Sequence, residues 1–428
     1  MQRLIYTVIF YIALPLYFLR LIFRGFQNPN YLKRWRERLG FGSNFPSEGK
    51  AVLWIHAVSV GEVNASIPLV RSFLDDYPNS EILVTTSTPT GSKILLDKMG
   101  IRVKHQYVPL DLPFCINAFL DRWNPKAFIV LETEIWPNTL AACKQRGIFT
   151  ALVNARLSER SKERYSKFKL LVAETLSNLD LLVAQYDSDA ERFKELNSSL
   201  EIEVCGNLKF DQEIPKEMES ISNTIRKSWS SGSERPTLIA ASTHETEEDF
   251  ILDAFTQILE EEKEALLILV PRHPERFETV HEYIKGRKLT LARRSKMEDV
   301  TPKTQVLLGD TMGELNFLYS VSDIAFVGGS LVDHGGQNLL EPASLSLPIC
   351  SGRNLRNFQE IADELEKNKA LLLIEENKEL AKFFTEMISN PKKKEKTGNA
   401  SFEVFQKNRG VLKKIKESLD IELKKYLS

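Results

Sequence analysis

The sequence predicts an α/β protein: two doubly wound parallel sheets behind an N-terminal apolar helix. Three observations predict it. Short apolar runs alternate with amphipathic stretches from residue 50 onward, the pattern of parallel strands joined by crossover helices. The alternation comes in two series, parted by a polar stretch rich in Glu, Ser and Lys over 211–235. Ahead of both, Leu4 to Leu19 is an apolar and aromatic run interrupted by Thr7 and containing one proline, Pro15.

The N-terminal run continues past Arg20 into Leu21-Ile22-Phe23. It is slightly short for a perpendicular bilayer span, but Arg20 can snorkel to the interface. No A-x-A cleavage site follows, which argues against a signal peptide. Only the N-terminus and Arg3 precede it, whereas Arg24, Lys33, Arg34, Arg36 and Arg38 follow. The positive-inside rule then leaves the rest of the chain in the cytoplasm, behind a single-pass anchor. The basic cluster is expected to attract anionic lipid head groups.

In the first series the strands are expected at Val52–His56, Ile82–Thr86, Val103–Val108, Ala127–Leu131, Phe149–Val153, Leu181–Ala184 and Ile202–Cys205. In the second they are expected at Thr237–Ala241, Leu266–Val270, Leu289–Ala292, Val306–Leu308, Ile324–Val327, Pro348–Cys350 and Leu371–Ile374. The Lys-rich stretch Phe402–Leu427 reads as one or two amphipathic helices. The domain limits that follow are 1–45, 46–215, 216–405 and 406–428.

Composition narrows the function. With 428 residues, 43% hydrophobic and 27% charged, the chain can bury sizeable cores, and disorder is excluded as its main state. A formal net charge of −1 gives no overall basic field for nucleic acid. Cys115, Cys143, Cys205 and Cys350 form no C-x-x-C pair and have no His at zinc spacing, so they read as free buried thiols and no metal site is expected.

Open α/β sheets bind ligands beyond the carboxyl ends of their strands. Those ends carry His56-Ala-Val-Ser59-Val-Gly61-Glu62, Glu132-Thr-Glu134-Ile-Trp136, Asn154-Ala-Arg156 and Gly206-Asn-Leu-Lys209 in the first series. In the second they carry Ser242-Thr-His244-Glu245, Pro271-Arg272-His273-Pro274, Thr311-Met312-Gly313-Glu314 and Gly328-Gly329-Ser330. Glu62, Glu132 and Glu134 are candidate bases or acceptor-binding groups. Ser59-x-x-Glu62, Ser242-x-x-Glu245 and Thr311-x-x-Glu314 also match the capping box, which closes a helix start and needs no ligand. Gly328-Gly329 would let backbone approach a phosphate, with a helix N-terminus behind it. After Gly335-Gly336, Asn338 and Glu341 fall three apart on one helical face, where a carboxylate can hold two ribose hydroxyls. A Walker A motif and G-x-G-x-x-G are both absent from the sequence, which disfavours nucleoside triphosphate and dinucleotide enzymes.

Taken together, the segments His56–Ala65, Glu132–Asn138, Asn154–Ser158, Gly206–Asp211, Pro271–Phe277 and Gly328–Ala343 resemble the Kdo transferases of lipopolysaccharide synthesis, in order and over nearly the whole chain. The resemblance implies a GT-B fold. Residues 46–215 become an acceptor-binding Rossmann-like domain and 216–405 a nucleotide-sugar-binding one, with a C-terminal helix returning to the first. It implies inverting, metal-independent transfer of Kdo from CMP-Kdo to a lipid A precursor (lipid IVA) at a bacterial inner membrane, without a cofactor. Glu62 corresponds to the family's base. Lys209, Arg272, His273, Met312, Gly313, Glu314, Gly329, Ser330, Asn338 and Glu341 fall on the donor side. His56, Ser59, Glu132, Glu134, Asn154 and Arg156 fall on the acceptor side. A GT-B-fold sugar-nucleotide epimerase and a membrane-bound nucleotide-sugar binding protein are the alternatives; the epimerase needs no anchor, and the binding protein needs no carboxylates.

Overall fold

The computed structural model describes residues 1–42, 46–211, 218–230 and 235–427. Two compact units emerge, one from 1–212 with 410–428 and one from 213–409.

The first unit holds a seven-stranded parallel sheet ordered β3-β2-β1-β4-β5-β6-β7. Its strands are β1 Val52–His56, β2 Glu81–Thr86, β3 Lys104–Tyr107, β4 Ala127–Leu131, β5 Phe149–Ala155, β6 Leu181–Ala184 and β7 Ile202–Val204. Alternate residues serve opposite faces, as strand geometry requires. Leu53 and Ile55 of β1 join one core with Val84 and Ile129; Val52 and Trp54 join the other with Leu83 and Phe128. The Trp54 ring stacks on Phe128 at 3.6 Å, and its indole N–H donates to Thr85 Oγ1 at 2.8 Å.

The second unit repeats the plan in the order β10-β11-β9-β8-β12-β13-β14. Its strands are β8 Thr237–Thr243, β9 Leu266–Pro271, β10 Leu291–Arg293, β11 Val306–Leu308, β12 Ile324–Val327, β13 Ile349–Ser351 and β14 Leu371–Leu373. Each strand of both units falls within about two residues of its expected place. The polar stretch 211–235 lies partly outside the described residues; a helix, Met218–Ser228, occupies its middle.

The chain's last helix, Val411–Leu427, belongs to the first unit. Val411, Ile415, Leu419, Leu423 and Leu427 recur every fourth residue and pack into the core beneath β1 and β4. Asp211 anchors its start by accepting the Gly410 N–H at 2.7 Å and also the Leu412 N–H. Tyr77 donates to Asp420 at 2.8 Å on its outer side.

The apolar N-terminal run forms one helix, Gln2–Gln27, with Pro15 inside it. It has two faces. Phe10, Leu14 and Tyr17 pack on Leu39, Leu110, Leu112 and Cys115, and the Thr7 hydroxyl and the Asn138 amide exchange hydrogen bonds at 3.0–3.1 Å. Leu4, Ile9, Ile12, Leu16, Phe23 and Phe26 face outward, exposed. The basic cluster behind it is smaller than the sequence suggests. Arg38 is buried and donates to the Ser87 carbonyl at 2.9 Å, while Arg34 pairs with Glu37 at 2.7 Å and meets the His105 ring. Arg34 stays exposed nonetheless, as do Arg24, Lys33 and Arg36.

Leu419 is fully buried and Ile421, two residues on, is 70% exposed. Leu419→Ala is expected to cost about 2–5 kcal/mol of stability, and Ile421→Ala no more than about 0.5 kcal/mol. Urea unfolding of the two variants checks this; equal midpoints would mean that the helix does not hold the first core together.

Candidate active site

In the first unit, β1 and β4 are neighbours at the point where strand order reverses, the place where doubly wound sheets take ligands. Glu62 reaches that point from the first turn of the helix Val60–Asp76. Its carboxylate accepts the N–H of Val58 at 2.8 Å and of Ser59 at 3.2 Å, and Ser59 Oγ accepts the Glu62 N–H at 3.2 Å. The capping box is therefore formed. Yet Glu62 is also buried, and burial first, then the charge of Glu132, raises its pKa above the ordinary carboxylate value against the pull of those amides.

Glu132 and Glu134 arrive in the turn after β4. Glu132 holds φ at 61°, a left-handed conformation uncommon for a residue with a side chain. Its N–H donates to the Val153 carbonyl at 3.1 Å, and Thr133 Oγ1 donates to the Arg156 carbonyl at 2.5 Å, so the turns after β4 and β5 brace each other. Lys209 Nζ stands 3.3 Å from Glu132 Oε1. Glu134 has its pKa pushed up to about 7, by burial first and then by the charge of Glu62, with a smaller push from Glu132.

Asn154, the last residue but one of β5, is also left-handed at φ 52°. Its Oδ1 accepts the Leu208 N–H at 2.9 Å, and its carbonyl accepts from Gln185 Nε2 at 3.0 Å. Gln185 Oε1 accepts from Asn207 Nδ2 at 3.0 Å, and Asn207 Oδ1 accepts the Lys209 N–H at 3.0 Å. This amide chain fixes the loop that delivers Lys209. Sequence reading missed Gln185, which no motif marks, and gave Asn207 no role although it stands in the Gly206–Asp211 segment, because their partners are brought together only by the sheet. His56 is fully buried, donates from Nδ1 to Thr85, and keeps a low pKa of about 4 because burial disfavours its charged form. Its Nε2 and the Asn154 Nδ2 are buried without a protein partner. Arg156 is half-buried beside the Glu132 turn.

In the second unit the reversal falls between β8 and β12. Here the expectation of a phosphate on the Gly-Gly-Ser amides needs correction. The Glu247 carboxylate, 1% exposed, already accepts the N–H of Gly329 at 2.7 Å, Ser330 at 3.0 Å and Leu331 at 2.9 Å, and of His244 at 2.9 Å. Nor does a helix follow the glycines directly: turns intervene, and the next helix is Leu340–Ser344. Gly329 adopts φ 69°, and a side chain there would press on Gln337 and His244.

The other two capping boxes do not form. Glu245 is exposed and pairs with Arg276 at 3.4 Å, while the helix behind it starts at Glu247 without a side-chain cap. Glu314 is held by Arg294 through two hydrogen bonds of 2.7 and 3.1 Å and by Thr311 Oγ1 at 2.5 Å, and the Arg294 guanidinium lowers its pKa. A cation in reach outcompetes the helix start in both places. Met312 is exposed and Gly313 adopts φ 88°. Asn338 and Glu341 are together, Nδ2 to Oε1 at 3.2 Å, but Asn338 stands before the helix and accepts the Leu340 N–H at 3.0 Å. Arg272 and His273 are exposed at the end of β9, the Arg272 N–H donating to the Thr243 carbonyl at 2.9 Å. Lys209, expected on the donor side, lies in the first unit with Glu132.

A family described as 3-deoxy-D-manno-octulosonic-acid transferase (kdotransferase) matches residues 33–212, the span that carries Glu62, Glu132, Glu134 and Lys209. The chain is 41% identical over 429 residues to the 3-deoxy-D-manno-octulosonic acid transferase of Haemophilus influenzae, covering 100% of this chain and 99% of that one. The chain belongs to this family of Kdo transferases. It is thus a glycosyltransferase, and its two parallel sheets are the halves of a GT-B fold. Two solved structures share that fold at 15% identity: a glycosyltransferase from Rickettsia africae, TM-score 0.58 over 87% of this chain and 98% of the other, and the UDP-GlcNAc 2-epimerase of Neisseria meningitidis, TM-score 0.59 over 86% and 99%. Fold alone therefore does not separate transferase from epimerase; the family does.

Among Kdo transferase residues in this chain, Glu134 offers a direct test of the crowded field. An acid whose folded pKa is about 7 against an ordinary 4.5 binds more protons folded than unfolded between those values. Stability then falls as pH rises from about 4.5 to about 7. Glu134→Gln removes that fall, so its melting temperature should exceed that of the unsubstituted protein by a margin that widens between pH 5 and pH 7. A constant margin across that range would show that Glu134 does not titrate there.

Proposed function

We propose that the chain transfers Kdo from CMP-Kdo to a lipid A precursor with inversion at the anomeric carbon. The observation that carries this reading is Glu62: a buried carboxylate at a switch point, its pKa lifted by burial and by Glu132. A lifted carboxylate is a better base near neutral pH. Each of its oxygens accepts one amide N–H and keeps a second lone pair for a substrate proton.

Glu62 takes the proton of the acceptor hydroxyl as that oxygen bonds to the anomeric carbon. The bond from that carbon to the CMP phosphate oxygen breaks, and its electron pair leaves with CMP. Attack from the face opposite the phosphate inverts the centre. His56, Ser59, Glu134, Asn154 and Arg156 frame the acceptor around Glu132. Lys209 offsets the Glu132 charge and offers a cation to the sugar's carboxylate. In the second unit, Arg272 and His273 meet the departing phosphate. Glu341, oriented by Asn338, accepts from the ribose hydroxyls. Met312, Gly313 and Glu314 border the nucleotide, as do Gly329 and Ser330 by close approach, their amides being held by Glu247.

Incubating the protein with CMP-Kdo and lipid IVA and weighing the products tests the reading: a gain of Kdo mass on the lipid supports it, and release of free Kdo alone would sink it. Glu62→Gln sharpens the test. As the base, Glu62 is expected to lose on the order of 10²–10⁴ in turnover on conversion to Gln, with CMP affinity unchanged. A pure capping role predicts turnover within a few-fold and a small drop in melting temperature, because Gln keeps one acceptor oxygen of two.

The helix Gln2–Gln27 supplies the membrane half of the reading. With its inner face held on the first unit, its outer stripe would enter the cytoplasmic surface of a bacterial inner membrane beside Arg24, Lys33 and Arg36. Removal of residues 1–26 should abolish flotation with anionic vesicles while the remainder still melts cooperatively, at a lower temperature because Leu110, Leu112 and Cys115 lose their cover. Undiminished flotation would locate the membrane contact elsewhere.

A further inference from the structure

Three histidines from three different loops of the second unit meet beside the β8–β12 reversal. His244 follows β8, His273 follows β9, and His334 lies in the turns after β12. The His244 and His334 rings stack at 4.1 Å, and the His273 ring meets His244 edge-on at 5.2 Å. His244 is buried, whereas His273 and His334 are exposed, so the cluster opens to solvent on one side. The loop geometry holds it together. Glu247 accepts the His244 N–H and three amides of the β12 loop, which locks the two loops in register. Gly329, left-handed and lacking a side chain, lets His244 and Gln337 approach, with Gln337 Nε2 and His244 Nε2 3.4 Å apart.

We propose that His244, His273 and His334, together with Arg272, form an anion subsite in which binding of a phosphodiester or carboxylate is coupled to uptake of a proton by the imidazole cluster. The charge inventory around His244 supports an anion as the missing partner. Arg272 follows β9, and Arg276 stands in the next turn, its own charge compensated by Glu248 at 3.1 Å and Glu245 at 3.4 Å. Asp333, beside His334, is paired with Arg356. The Glu247 carboxylate is saturated by backbone amides. A ring stack of this kind is also a poor metal site, and among the described residues no group of three His, Cys, Asp or Glu is arranged to hold a metal ion. With no anion bound, burial first, and then His334, His273, Arg272 and Arg276, hold the His244 pKa down at about 4. An anion seated against the rings offsets those neighbouring charges and draws a proton from solvent onto an imidazole.

The sign follows. A group whose pKa is raised in the bound state strengthens binding at low pH, and the gain is lost as pH rises through the bound-state value. One coupled proton weakens binding up to tenfold per pH unit until the curve levels off.

This inference rests on the placement of the nucleotide in the second unit, and the experiment separates the two. The probe is the methyl phosphodiester of CMP, whose single charge is fixed across the range, titrated calorimetrically into the full chain from pH 5.5 to 8. Its Kd should rise with pH and then level off, and heats measured in buffers of different ionisation enthalpy should show proton uptake. His244→Gln should flatten the curve while keeping the affinity found at pH 8. His273→Gln/His334→Gln, on exposed rings that leave the fold alone, should flatten or displace it. A Kd independent of pH in the unsubstituted protein, or a slope unchanged in both variants, overturns the proton coupling while the nucleotide site stands if Glu341→Ala still weakens binding. Affinity that is unaffected by Glu341→Ala and by the histidine variants alike, or no binding at any pH, overturns both.

Discussion

Each half of the molecule depends on a glutamate that has been carried into the interior at the point where its sheet reverses. A carboxylate there loses water and must be given other donors. Glu62 and Glu247 solve the problem from comparable positions, in the first turn of the helix after the first strand of each unit, β1 and β8. What surrounds them differs. Glu247 is met by four backbone N–H groups and is saturated. Glu62 has two, and faces Glu132 and Glu134 besides. The same device therefore makes a fully donor-matched clamp in one unit and a carboxylate with a raised pKa in the other.

The rest of the first site manages that incompleteness. The backbone at Glu132 and Asn154 is bent into the left-handed region at the ends of β4 and β5, a conformation that costs of order 1–3 kcal/mol and persists only when surroundings enforce it. The enforcement is visible in the Asn154–Gln185–Asn207 amide chain and the Thr133–Arg156 bond. These bring Lys209 to one carboxylate of the three, close enough to moderate the field and too few charges to cancel it.

Much of this was legible in the sequence, for reasons that differ by level. The strands were legible because a sheet covered on both faces needs continuous apolar runs, and those of β1, β4 and β12 stand in the sequence without ambiguity. Glu62, Glu132 and Glu134 were legible as polar residues just beyond such runs. The second unit was harder. In His244-Glu245-Thr246-Glu247-Glu248 three carboxylates compete for one helix start, and spacing selects Glu245. The structure buries both Glu247 and Glu248 instead: Glu247 accepts the amides of the β12 loop, and Glu248 pairs with Arg276. Thr311-x-x-Glu314 misleads in the same way, since Arg294, twenty residues earlier, supplies a better partner than the helix. Local pattern reads local bonds; partners from other strands are invisible to it.

The N-terminal helix shows the same limit and turns it into an argument about the membrane. By length and hydropathy alone, Gln2–Phe26 could cross a membrane. By packing it is two-faced, since Thr7, Phe10, Leu14 and Tyr17 are committed to the first unit. A helix standing upright in a bilayer would have to surrender those contacts, including the Thr7–Asn138 bonds. Asn138 in turn donates to the Asp111 carbonyl at 2.8 Å, and Asp111 accepts the N–H groups of Asn138 and Thr139 at 3.1 and 2.7 Å. Those amides open the helix Pro137–Gln145, directly after the turn that carries Glu132 and Glu134. The apolar helix is thereby joined through Asn138 to the segment that builds the carboxylate site. Its outer stripe stays apolar and exposed, and its inner face ties it through Asn138 to the turn that carries Glu132 and Glu134.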